Sequence, residues 1–107
     1  MGSTRKYNDT VREDLQNDAE FRRALLSEVF GCMASGDVET GKSVLRTYIN
    51  GTIGFVKLGE ALGKSPKSLM RMLSPAGNPH IRNFFEIVAY LQQREGAVFE
   101  VIHKVAA

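Results

Sequence analysis

The sequence predicts an all-α domain of about five to six helices, closed by one short C-terminal β-strand. Three observations predict it. Apolar residues recur at three- and four-residue spacing through most of the chain. Helix-capping residues stand at the head of those stretches, and glycines stand at their ends. Only the last run, Ala97 to Val105, alternates its side chains and concentrates Val, Phe and Ile, which is the pattern of a strand. With 107 residues, 43% of them hydrophobic, the chain is sized for one domain with one modest core. That domain is expected over residues 9–107, behind a disordered leader at 1–8.

Asp9 or Thr10 is placed to cap a first helix carrying Val11 and Leu15. Asp18 can accept hydrogen bonds from the free amides of a second helix, expected from about 18 to 34. Its stripe is Phe21, Leu25, Val29 and Cys32, flanked by Leu26, Phe30 and Met33. Ser35-Gly36 stops it, and Asp37 heads a third helix with Val38, Gly41, Val44, Leu45, Tyr48 and Ile49 on one face. Gly51 or Gly54 ends that helix. Val56, Leu58, Ala61 and Leu62 form the inner face of a fourth, and Gly63 reverses the chain with a left-handed backbone. Ser65 caps the fifth helix and Pro66 is its first residue. Leu69, Met72 and Leu73 turn inward there, which leaves Lys67, Ser68, Met70 and Arg71 outside. Asn78-Pro79 reads as cap and first-turn proline of the last helix, "HIRNFFEIVAYLQQ". The apolar face of that helix, Phe84, Phe85, Ile87, Val88, Tyr90 and Leu91, is wider than one small domain needs.

The stretch "GDVETGKS", Gly36 to Ser43, fits the phosphate-loop pattern letter for letter. A phosphate loop needs a buried strand before its glycine-rich turn, and here the preceding residues are helical. Asp37 and Glu39 would also repel the phosphates. We therefore read the segment as a capped helix corner, with no nucleotide or other cofactor. His80 and His103 have no second ligand at metal spacing, so no metal is expected. Two histidines and one cysteine in separate segments offer no nucleophile–base–orienter set, so no enzyme is expected. Cys32, the single cysteine, fits a reduced compartment and a place in the core. The chain has no run of about 18 apolar residues, so a cytoplasmic protein without a membrane span is expected.

Charge is unevenly placed. Residues 1–50 hold seven basic and eight acidic side chains, and residues 51–107 hold seven and four. From Lys57 to Arg82 five cations face one acid, Glu60, which points to an anionic partner for this segment.

Gly59, Gly63 and Leu69 in "FVKLGEALGKSPKSLMRMLS" resemble the helix-turn-helix of lambda-repressor-like DNA-binding domains, at about residues 55–74. Adding "LSPAGNP", the last helix, "AEFRRALLSEVFGCMASGD" and "AVFEVIHKV", the whole of residues 10–105 resembles the small antitoxins of the probable addiction module antidote family. Two positions depart from the family pattern: Gly59 stands where Ala is common, and Lys64 where an apolar residue is common. The resemblance implies an antitoxin that binds its own promoter and neutralises a cognate toxin through the N-terminal helices or the terminal strand.

Only the first turns of a recognition helix reach deep into the major groove, so Pro66, Lys67, Ser68 and Arg71 are the candidate base-reading residues. Lys67 and Arg71 are four apart and share a face. Lys57, Lys64, Ser65, His80 and Arg82 are the candidate phosphate contacts. The terminal strand has no partner in a helical chain, so Phe99, Val101 and Ile102 are candidate contacts with a second copy or with a toxin. A homodimer would set two recognition helices about one DNA turn apart on palindromic half-sites of a double-stranded operator. The competing expectation is a protein-interaction module that keeps the scaffold without binding DNA.

Overall fold

The computed structural model describes residues 2–106, with side chains from Asp9 onward. Among them are six helices: α1 (Gly2–Asn17), α2 (Ala19–Ala34), α3 (Val38–Gly51), α4 (Gly54–Leu62), α5 (Pro66–Met72) and α6 (Ile81–Glu95). The domain is all-α, and no described residue is in a strand.

Local chemistry sets most of the helix ends. The Asp18 carboxylate accepts the Phe21 N–H at 3.0 Å, and Asp37 accepts the Thr40 N–H at 3.3 Å. Each satisfies an amide that a first helical turn leaves without a partner. At the end of α4, Gly63 has φ +66°, a backbone that L side chains rarely adopt. Ser65 then accepts the Ser68 N–H at 3.1 Å, and Pro66 opens α5, where a missing N–H loses nothing.

The core is one cluster. Leu15 of α1, Leu26 and Val29 of α2, Leu45, Tyr48 and Ile49 of α3, Phe55 and Leu58 of α4, and Leu69 and Leu73 are buried together. Phe84, Ile87, Val88 and Leu91 of α6 complete it. Helix α3 lies at its centre, packed most extensively on α2 and touching α1 and α4. A buried polar set ties the ends of four helices together. Arg22 donates through Nε to both oxygens of Glu95, at 2.9 and 3.2 Å, and through Nη1 to the Leu15 carbonyl at 3.0 Å. The Tyr48 hydroxyl donates to the same carboxylate, at Glu95 Oε2, the oxygen nearer to Arg22. Burial first, and then this bond to an anion, push the Tyr48 hydroxyl above its ordinary pKa of 10.0.

Five expectations are corrected. Val56 and Ala61, expected on the inner face of α4, are exposed, and Phe55 is buried on that helix with Leu58. The C-terminal strand is absent: the helices around it satisfy their own backbone groups, so none can offer a ladder, and the chain beyond Gly96 stays irregular. Helix α1 starts at Gly2, ahead of Asp9 and Thr10, so the segment expected as a leader is helical from there. Once Val11 and Leu15 anchor the helix on the core, adding residues avoids a second nucleation. Asn78 caps nothing, because α6 has His80 as its N-cap, in extended backbone, and Pro79 lies one residue outside. Cys32 is half-buried and not part of the core; burial and then the Glu28 and Asp37 carboxylates raise its thiol pKa.

Of the described glycines, Gly77 leaves the least room for a side chain: a Cβ there would lie 1.9 Å from the Arg71 carbonyl oxygen and 2.7 Å from that of Met72. Gly77→Ala is therefore expected to destabilise the fold by about 1 to 3 kcal/mol, measured as a shift of the urea midpoint at constant slope. Tyr48 gives a second test. Its folded pKa is raised, so its stabilising effect is full below pH 10 and is lost as pH rises through and beyond that value. Tyr48→Phe should lower Tm at pH 8, and the gap to the wild type should narrow at pH values above about 10.

Candidate nucleic-acid interface

Helices α4 and α5 and their turn form the candidate surface. The Lys64 N–H donates to the Gly59 carbonyl at 3.0 Å, which draws the turn over the end of α4. A Cβ at Gly59 would stand 2.4 Å from the Lys64 carbonyl oxygen, so this turn is closed around a glycine. Leu69 and the following Leu73 are fully buried and fix the rotation of α5 about its axis. The opposite face consequently carries Lys67 and Arg71, both exposed and one turn apart. Among the described residues neither forms an ion pair. Met70 lies exposed between them.

The other sequence-derived candidates divide. Lys57, His80 and Arg82 are exposed, His80 at the head of α6 and Arg82 in its first turn. Lys64 is half-buried, and its ammonium faces the Glu86 carboxylate at 3.6 Å, so its charge is turned partly inward toward α6. Ser65 is exposed but spends a lone pair on the cap of α5, and Pro66 and Ser68 are half-buried. Phe99 is not on a free surface: its ring stacks on Phe30 with centroids 5.5 Å apart, and its N–H donates to Gln92 Oε1 at 2.9 Å. Val101 and Ile102, 98% and 85% exposed, lie beyond that anchor.

Sequence reasoning missed two groups. One is the Arg22–Glu95–Tyr48 set, which borders a polar cleft of about 210 Å³ also lined by Gln16, Thr52 and Arg94. The other lies behind α5. Lys42, from the phosphate-loop-like stretch, is buried and donates to the carbonyls of Ser74 and Gly77, while Arg46 Nη1 donates to the carbonyl of Leu73. The helix spacing of Lys42 and Arg46 was available in the sequence, but nothing there indicates which carbonyls they meet. Their partners lie 27 to 35 residues further on.

Comparison of the chain with protein-family models, with curated proteins and with solved structures returns no match. Among the described residues, no helix is long and apolar enough to cross a membrane.

Proposed function

We propose that this chain is a sequence-specific DNA-binding transcriptional regulator with a lambda-repressor-like fold. In this role it acts in the cytoplasm as the antitoxin of a toxin–antitoxin pair and represses its own operon. One observation carries the regulator half: two cations, Lys67 and Arg71, in no ion pair among the described residues, occupy the solvent face of a short helix whose other face is locked in the core. Arg71 can present two parallel N–H groups to guanine O6 and N7, and Lys67 can meet a base edge or a phosphate. Lys57, His80 and Arg82 are available for phosphate contacts, and Lys64 joins them only by releasing Glu86.

The antitoxin half is supported by the resemblance of residues 10–105 to the antidote proteins. A homodimer or a toxin complex is supported by the tail: Val98 stands exposed, and so do Val101, Ile102 and Val105, on a stretch from 100 to 106 whose backbone makes no hydrogen bond among the described residues. The second reading, a protein-interaction module, draws on Val56 and Met70, which leave apolar surface on α4 and α5 beside the cations.

Titration of the duplex upstream of the gene, at several salt concentrations, distinguishes the two readings. A regulator loses affinity steeply with salt as phosphate contacts release counterions, whereas a flat response favours the interaction module. Arg71→Ala should cost about 1 to 3 kcal/mol on the promoter duplex and much less on unrelated duplexes. Equal losses on both would reduce Arg71 to a phosphate contact. Sedimentation tests the tail: a wild-type dimer should become a monomer when Val101→Asp and Ile102→Asp are combined, with helical content unchanged.

A further inference from the structure

Lys42 is the one charged residue fully buried among the described residues, 1% exposed. A buried ammonium is costly unless its three donors all find acceptors. Here they do: Nζ reaches the Gly77 carbonyl at 2.7 Å, the Ser74 carbonyl at 3.0 Å and the exposed Glu39 carboxylate at 3.0 Å. The lysine that mimics a phosphate-loop residue in the sequence is fully engaged by the protein's own oxygens. Two of those oxygens belong to the segment that leads out of α5.

One turn further along α3, Arg46 donates to the carbonyl of Leu73, the C-cap residue of α5. Two cations on a single face of α3 therefore meet the carbonyl end of α5 and the loop beyond it. That end carries the negative pole of the helix and carbonyls without intrahelical partners, so cations there satisfy both needs. The loop also presses directly on the helix, as the absence of room at Gly77 against the Arg71 carbonyl requires. A seven-residue helix has too few internal bonds to hold its own direction. Leu69 and Leu73 fix its rotation, but buried leucines alone permit sliding and tilting. A hydrogen-bonded end does not.

We infer that Lys42 and Arg46 are positioning residues for DNA reading: from behind, they set the position and tilt of α5, and so the directions of Lys67 and Arg71, without touching nucleic acid. The inference rests on the DNA-binding reading for its consequence, while the clamp itself can be measured without DNA. Base-edge contacts tolerate errors of only about half an ångström, whereas phosphate contacts tolerate more. Loss of the clamp should therefore erode discrimination more than it erodes charge-driven binding.

The test uses the full chain, with Lys42→Met to keep the length and remove the donors, and Lys42→Arg as the conservative variant. Amide hydrogen exchange is followed at Leu73, Ser74 and Gly77, whose N–H groups are bonded to Leu69, Arg71 and Ser74. In Lys42→Met these amides should exchange about tenfold faster, with those of α2 and α6 unchanged. The promoter duplex should bind about tenfold more weakly, while affinity for an unrelated duplex and the salt slope stay at wild-type values. Lys42→Arg should recover part of both losses. Unchanged exchange at the three amides, or a uniform rise through all helices, overturns the inference. So does an equal loss on both duplexes. If Lys42→Met does not fold, Arg46→Met must show the same local pattern, and a uniform one is equally fatal. A wild-type chain that binds neither duplex defeats the DNA-binding reading alone and leaves the exchange result to judge the clamp.

Discussion

Helix α5 is too short to persist unaided in water, and the way the rest of the chain holds it is the constraint around which this domain is organised. From below, Leu69 and Leu73 sink into a core built on α3. At the front, Ser65 and Pro66 start the helix with a satisfied amide and a preset φ. Behind it, Arg46 takes up the carbonyl of the C-cap residue Leu73, and Lys42 those of Ser74 and Gly77 in the loop beyond. Four kinds of interaction thus converge on seven residues, and their joint product is a fixed face bearing Lys67 and Arg71.

Helix α3 is the common support. Its Leu45, Tyr48 and Ile49 are buried among α1, α2, α4 and α6, and its two cations reach past the core to the α5–α6 loop. The opposite end of the domain is tied by polar atoms. Arg22 and Tyr48 share the carboxylate of Glu95, at the last residue of α6, so the helix that begins after the loop is anchored to α2 and α3 at its far end. A buried carboxylate with two kinds of donor and a neutral tyrosine is fully satisfied, in keeping with the absence of unpartnered buried side-chain polar atoms among the described residues. Thus α6 is held by charge at one end and by Phe84, Ile87, Val88 and Leu91 along its length.

How much could be read beforehand differs from element to element, and the reason is distance along the chain. Asp18, Asp37, Ser65 and Gly63 act on amides and carbonyls within four residues, so the ends of α2, α3, α4 and α5 follow from neighbours in sequence. Asn78-Pro79 offered the same local signal, yet α6 starts after His80, because the carbonyls of Ser74 and Gly77 are held by a lysine 32 to 35 residues away and the chain runs on extended before it can coil. The tail shows the same limit. Its alternation is real and puts Phe99 against Phe30 while Val98 stays outside, but alternation makes a strand only where a second backbone is in reach.

Sequence alone therefore determined the helical class, the caps at Asp18, Asp37 and Ser65, the turn at Gly63 and the side of α5 on which Lys67 and Arg71 stand, since each depends on spacing within a few residues. Tertiary structure alone decided which candidates stay available: it turned Lys64 toward Glu86, folded Phe99 onto α2 and left Val101 and Ile102 free. It also gave Lys42 and Arg46 their role, because a side chain's partner across three helices is fixed by packing geometry, which no local pattern encodes.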